Sequence, residues 1–379
     1  MTDTVTIIGA GIGGLTTALT LQQRGLNVAV YEGSAAIQPV GAGIILANNA
    51  MQVFKKLGIS DSIEKAGHRI SAIKITDAQL RPLSVVALQE YEKKHGVHNI
   101  AIHRGELQRI LANAVGFNSI HLSKRLAKIE KELLFQLTFE DNTHLETNLI
   151  IGADGINSVV RNQLFEKSSL RDAGQICWRG ICNIELPKDY HHEMNEAWGK
   201  GKRFGFVKIS THQVYWFALT NSKNTDPGEV DLTDLFQEFH PDILHIITST
   251  PPEQIIVGPI RDLKPIPTWH SENVCLIGDA AHATTPNLGQ GACQAIEDAF
   301  VLGQLLDQGI PLAATFTEYE KRRRKKADKI VSASWTLGKI AHWSHPVPIW
   351  FRNLFLRITP NAANRKQMNE IFELHSEIL

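Results

Sequence analysis

Residues 5–32 read VTIIGAGIGGLTTALTLQQRGLNVAVYE, and this stretch decides the fold. Val5 to Ile8 is apolar and β-branched, Ile12 to Arg24 has the composition of a helix, and Asn27 to Tyr31 returns to a strand pattern. The order predicts one strand–helix–strand unit. Gly9, Gly11 and Gly14 match Gly-x-Gly-x-x-Gly at the strand-to-helix turn, with Gly13 beside them, and Glu32 ends the second strand eighteen positions after Gly14. Each residue has a physical task. Gly9 permits a tight turn, Gly11 lets the backbone approach a pyrophosphate, and Gly14 lets helix and strand pack closely. The helix N-terminus stabilises phosphate charge, and Glu32 can accept hydrogen bonds from an adenosine ribose. The pattern predicts a bound dinucleotide and does not by itself separate FAD from NAD.

Further along, a β-rich stretch from Ser71 to Leu88 interrupts the nucleotide-type pattern, and a helix over Arg104 to Ala114 restores it. Strand patterns follow at Leu133 to Phe139 and Leu149 to Ala153. The region from Gln175 to Pro259, with extended pieces at Arg203 to Ile209 and Val214 to Leu219, predicts a mostly antiparallel sheet. A buried-strand pattern over Asn273 to Ile277 and a helix over Gly291 to Leu306 return to the first domain. The expected division is a discontinuous nucleotide-binding domain (1–70, 98–174 and 268–330), a substrate-binding β domain (71–97 and 175–267) and a C-terminal helical segment (331–379). That last segment holds Trp335, Trp343, Trp350, Phe351 and Phe355, and is expected to pack as a layer across both domains.

Composition narrows the function. Hydrophobic types make up 43% of the 379 residues, enough for a large core, which excludes a disordered chain. Lys plus Arg and Asp plus Glu are both 39, so no global field recruits nucleic acid. The basic run Lys321 to Lys326 follows Glu318 and Glu320 in a helical pattern and predicts a solvated helix end. Four cysteines without metal-ligand spacing exclude a disulfide scaffold and a zinc site. The apolar stretch near the N-terminus is broken by glycines and lacks a preceding positive charge, so a cytoplasmic protein with no membrane span is expected.

Two later motifs separate FAD from NAD. Gly152-Ala153-Asp154-Gly155, followed by Arg161, and Gly278-Asp279-Ala280-Ala281-His282, followed by Pro286, Gly289-Gln290-Gly291 and Glu297-Asp298-Ala299, resemble the DG and GD motifs of flavin-dependent aromatic hydroxylases. With the glycine loop in register, the resemblance covers nearly the whole chain and is to the single-component FAD monooxygenases of the p-hydroxybenzoate and salicylate hydroxylase type. It implies an α/β fold: a Rossmann-like FAD-binding domain of the GR2, p-hydroxybenzoate hydroxylase kind, with an inserted antiparallel substrate sheet and C-terminal helices. It also implies non-covalent FAD, NADPH or NADH docking transiently without a second Rossmann domain, and O2 as co-substrate. A flavin C4a-hydroperoxide would hydroxylate a small aromatic or other electron-rich substrate.

The same resemblance assigns Asp279 to the ribityl and pyrophosphate part of FAD, and Gly289, Gln290 and Gly291 to the flavin pyrimidine edge. Arg104 heads a helix and would reach the phosphates or ribityl chain. Asp154 and Arg161 would hold the pyrophosphate region, with a structural ion pair as the alternative. Gly41-Ala42-Gly43 fits the loop beside the isoalloxazine. Trp178-Arg179-Gly180 marks the start of the substrate domain. From the residues themselves, Tyr215 and Trp216 fall on opposite faces of one strand, and either face could roof the substrate. Arg203 and His212 are candidate polar partners of a phenol or carboxylate. No catalytic base is singled out. A monomer or homodimer fits equally, and the rival readings are an oxygenase of a larger polyketide or purine and a flavoprotein binding module without hydroxylation.

Overall fold

The computed structural model describes residues 4–37, 42–166, 168–223, 228 and 230–374. Gly41 and residues 375–379 lie outside them. The first strand, Val5–Ile8, is buried at all four positions and lies inside a six-stranded sheet. Ile150–Gly152 flanks it on one side and Val28–Tyr31 on the other, both parallel, so Thr6 faces Ile150 and Ala29. Val274–Leu276 extends the sheet beyond Ile150–Gly152. Three segments more than a hundred residues apart thus share one sheet, as the interrupted pattern requires. Helices Ile12–Gln22, Arg104–Val115 and Gly291–Leu306 cover it.

The second sheet has seven strands in the order Ile256–Leu263, Leu170–Asn183, Gln213–Asn221, Lys202–Lys208, Glu193–Trp198, Ala72–Asp77 and Pro82–Ala87. Every pairing is antiparallel except that between 193–198 and 72–77. Its two excursions, 72–87 and 170–263, therefore meet side by side. The boundary expected at 174/175 falls inside one strand of 14 residues, whose pairing shifts between Asp172 and Ile176. Gly174, at φ +67°, sits in that irregularity and lets the strand bend from one domain into the other.

Opposite pairs across this sheet show which side faces the nucleotide domain. Arg203 lies opposite Leu219, Val207 opposite Tyr215, and Arg179 opposite Phe217, on one face. Phe204, Phe206 and Trp216 lie on the other, where they form a separate core with Phe236, Phe239 and the Pro241–Thr248 helix. Trp216 stacks on Phe204 with ring centroids 5.4 Å apart and donates its indole N–H to Thr250 Oγ1 at 2.8 Å. Of the two aromatic faces open in the sequence, the one bearing Tyr215 and Phe217 packs against the main core, and Trp216 leaves the list of substrate contacts.

The C-terminal region departs from expectation twice. The expected boundary at 331 cuts a single 30-residue helix, Leu312–Ala341. The basic run lies in the middle of that helix and is not a solvated end: Arg323 is fully buried and Lys326 nearly so, because their spacing of three turns both inward, while Arg324 pairs with Glu320 outside. This helix packs against the 291–306 helix and the 286–288 turn. The next one, Pro346–Ile358, instead turns Trp350, Phe351 and Phe355 to solvent.

Candidate active site

The glycine loop divides its tasks by space. Gly9 adopts φ +104°, and a Cβ there would stand 2.5 Å from the Ala153 carbonyl oxygen. A Cβ on Gly14 would stand 2.0 Å from the Gly9 carbonyl oxygen, and one on Gly13 3.2 Å from Ala295 Cβ. At Gly11 an added Cβ would meet nothing within 4 Å, so this backbone is open to a ligand at the uncapped N-terminus of the 12–22 helix. Glu32 accepts the Ala10 N–H at 2.7 Å through Oε2 and the Ser34 N–H at 2.8 Å through Oε1. A carboxylate has about four acceptor positions, which leaves room for ribose hydroxyl donors. Gln108 donates to the Ala10 carbonyl oxygen at 2.7 Å and holds the loop from the 104–115 helix.

The DG loop lies against this turn. Asp154 Oδ2 accepts the N–H groups of Val159 (2.7 Å) and Val160 (3.1 Å) at the head of the Val159–Leu164 helix. Its Oδ1 is buried and has no partner within the described protein. Burial pushes its pKa up, against the hydrogen bonds from Ser158, Val160 and Val159. Arg161 does not close a direct ion pair with Asp154: its guanidinium donates to the carbonyl oxygens of Ala280 (3.0 Å) and Ile156 (2.7 Å) and to Ser168 Oγ (2.9 Å). It thereby ties the DG loop to the GD loop.

In the GD loop, Gly278 takes φ +55° and donates its N–H to Asp298 Oδ2 at 3.0 Å. Asp279 follows as the first residue of a short helix and makes no cap hydrogen bond. Its carboxylate is surrounded by protein and yet open to the cleft; desolvation raises its pKa, opposed by His282, Arg104 and Arg161. Arg104 is exposed at the head of its helix, and its N–H donates to the Ala42 carbonyl oxygen at 3.1 Å. The turn Pro286–Leu288 leads to Gly289 at φ +62° with open space beside it. The 291–306 helix then starts at Gly291 without a side-chain cap, and a Cβ there would lie 3.9 Å from Asp279 Oδ1.

A buried network supports this turn. Gln290 Oε1 accepts from Asn49 (3.0 Å) and Gln294 (3.2 Å), and Asn49 also donates to Glu297 at 2.5 Å. Arg323 donates to Glu297 at 2.6 Å and to Asp298 at 2.7 Å, while His282 lies 2.5 Å from Asp298. Burial pushes the Asp298 carboxyl up, and His282 and Arg323 more than offset it, leaving it at about 2. Glu297 and Asp298 were visible as a motif, but Asn49 and Arg323 carried no sequence signal linking them to it.

The seven-stranded sheet meets the Gly43–Leu46 strand. Gly43 begins the strand Gly43–Leu46, and a Cβ on it would stand 2.4 Å from Tyr215 Cγ, so Tyr215 packs directly on this backbone. Arg179 shares the face, beside Tyr215 and Cys177. Nothing in the sequence around Trp178-Arg179-Gly180 gave this arginine a role. Arg203 is buried on this face too and donates to Glu196 (3.0 Å) and to Asn287 Oδ1 (2.5 Å), which locks it to the 286–288 turn. His212 is exposed in the hairpin turn between 202–208 and 213–221 and is not brought to the cleft face.

Gly11 and Gly289 have open space beside their backbone, and Asp154 Oδ1 and the Asp279 carboxylate keep acceptor capacity, a set that fits a dinucleotide with a polyhydroxylated chain. The FAD binding domain family matches residues 1–334, and the chain belongs to it. It is a flavoprotein monooxygenase. Among its relatives are the aurachin C monooxygenase/isomerase of Stigmatella aurantiaca, 36% identical over 94% of each chain, and the 2-heptyl-3-hydroxy-4(1H)-quinolone synthase of Pseudomonas aeruginosa, 31% identical over 97% of each. The crystal structure of Klebsiella pneumoniae HpxO with FAD and uric acid superposes with a TM-score of 0.89 at 27% identity, covering 98% of this chain and 96% of that one. Both the FAD assignment and the architecture anticipated from the motifs are borne out.

Proposed function

We propose that the enzyme uses NAD(P)H and O2 to hydroxylate a flat bicyclic heteroaromatic of the 4(1H)-quinolone kind at its electron-rich ring carbon 3. The observation that carries this reading is one face of the seven-stranded sheet, where Tyr215, on Gly43, and Phe217 offer ring surface beside the guanidinium of Arg179, while Arg203 on the same face is tied to Glu196 and Asn287. Such a face suits an apolar ring with one carbonyl oxygen better than a purine that is polar around its edge. The kinship with the 2-heptyl-3-hydroxy-4(1H)-quinolone synthase supports it. Glu32, Arg104, Asp154, Asp279 and the backbone at Gly11 and Gly289 to Gly291 would hold FAD, which supplies O2 activation when bound.

The remaining steps belong to the protein. Tyr215 and Phe217 orient the ring and exclude water. Arg179 holds the ring oxygen and favours the deprotonated ring, which is richer in electrons at carbon 3. The uncapped N-terminus of the 291–306 helix stabilises negative charge at the cofactor. The balance is one substrate C–H becoming C–OH, with the second oxygen atom leaving as water and NAD(P)H supplying the electron pair.

The test is NAD(P)H oxidation by the purified yellow enzyme with 2-heptyl-4(1H)-quinolone and with urate, each with mass spectrometry of the product. We expect the quinolone to accelerate oxidation and gain one oxygen atom, and Arg179→Met to raise its KM roughly 10- to 100-fold, the worth of one charged hydrogen bond. Turnover of urate but not of the quinolone would favour the purine reading, which the HpxO likeness supports.

A further inference from the structure

The Pro346–Ile358 helix is built inside out. Arg352 faces the protein, with its guanidinium 5.3 Å from the Trp198 ring centroid and an N–H donated to the Ala341 carbonyl oxygen at 2.9 Å. Val347, Trp350, Phe351, Leu354, Phe355 and Ile358 face solvent, with exposures from 39% to 66%. Their spacing of three and four makes one continuous apolar stripe along the helix. Charge is distributed just as unevenly. Residues 329–369 contain six Lys or Arg and no Asp or Glu, in a chain whose totals cancel. Part of that charge is answered by neighbours, since Lys329 pairs with Glu370 and Arg365 lies 3.5 Å from Glu90. Arg357 is exposed two turns from Trp350 on the same side, at the rim of the stripe, and Lys339 is exposed in the preceding helix.

We propose that this stripe docks the enzyme on the surface of an anionic phospholipid bilayer, with the helix lying in the interfacial plane. Aromatic rings on the outer face with cations at the rim suit the boundary between headgroups and acyl chains. A span is not at issue, because no helix among the described residues is long and apolar enough to cross a membrane. A second copy of the chain fits less well, since a two-fold contact through this face would set the same uncompensated cations against each other. The docked helix is also near the cleft: it follows the 312–341 helix, whose Gly338 abuts Asn287 of the turn that holds Arg203.

The experiment is flotation of the FAD-loaded full-length protein with phosphatidylcholine vesicles, with and without roughly 30 mol% phosphatidylglycerol. The expected result is binding to the anionic vesicles, lost on adding 0.5 M salt to the order of the neutral-vesicle level. Arg357→Glu should weaken it roughly 30-fold, the effect of a two-charge change near the surface. The double variant Phe351→Asp/Phe355→Asp should abolish it while FAD content and thermal midpoint stay near the parent's. Failure of the parent to float with anionic vesicles would overturn the proposal. So would sedimentation showing a dimer that the double variant dissolves.

Discussion

Two residues separate Gly11 from Gly14, yet an added Cβ would meet nothing within 4 Å at the first and the Gly9 carbonyl oxygen at 2.0 Å at the second. One glycine has open space beside it and the other is required by the fold. Gly11→Ala should therefore keep the parent's thermal midpoint but weaken FAD retention, because the methyl group occupies the approach to the pyrophosphate. Gly14→Ala should lower stability by roughly 1–3 kcal/mol or more, since backbone has to move to admit the methyl. Thermal melts of the apoproteins and FAD titration followed by flavin fluorescence separate the two. An equal loss of stability in both variants would contradict this division. Their roles could be assigned from the motif because a strand–turn–helix unit is local, and its steric demands repeat wherever the pattern occurs.

The 312–341 helix is joined to the 291–306 helix by Arg323, which lies between Glu297 and Asp298 with none of the three side chains exposed. Lys326 adds a second cation at 2.9 Å from Glu297. Removing Arg323 leaves two buried carboxylates short of their main partner, so Arg323→Met should cost about 3–5 kcal/mol. Lys321→Met, which breaks a pair with Glu318 where the lysine is 76% exposed, should cost less than about 1 kcal/mol. Urea unfolding of the two variants checks the contrast; comparable losses would show that burial does not decide the strength of these pairs. The sequence showed six consecutive cations and could not tell these two apart. Helical spacing says that positions 323 and 326 share a side, but which side meets the carboxylates depends on a helix elsewhere in the chain.

Across the whole molecule, His342 lies where the nucleotide domain, the substrate sheet and the C-terminal helices meet. Its Nδ1–H donates to the Gly338 carbonyl oxygen at 3.1 Å, and the next residue, Trp343, accepts the N–H of Gly201 from the sheet domain. Burial, with Arg203 and Arg352 nearby, pushes its pKa down to about 3. The unfolded chain would bind a proton here near pH 6.5 and the folded one would not. Stability from this group is therefore full above about 6.5 and is lost as pH falls toward 3, at up to about 1.4 kcal/mol per pH unit. Unfolding free energies measured from pH 8 to 5 should fall more steeply for the parent than for His342→Gln. Parallel curves would mean that His342 does not titrate differently on folding.

What the sequence determined by itself was local in origin: the Val5–Ile8 strand, the 291–306 helix and the division of labour in the glycine loop follow from periodicity and steric demand over a few residues. The FAD assignment came from the resemblance of three such motifs, in their order along the chain, to those of flavin-dependent hydroxylases. Tertiary structure decided the rest. Alternation puts Tyr215 and Trp216 on opposite faces, but packing of the 241–248 helix takes Trp216 into a second core and leaves Tyr215 over Gly43. Likewise, the outward turn of Trp350 and Phe355 goes with Arg352 facing Trp198 of the sheet and the Ala341 carbonyl of the long helix, contacts that need both elements in place. A period of two or 3.6 specifies which residues share a face, whereas the choice of face is made by whatever surface arrives to cover it.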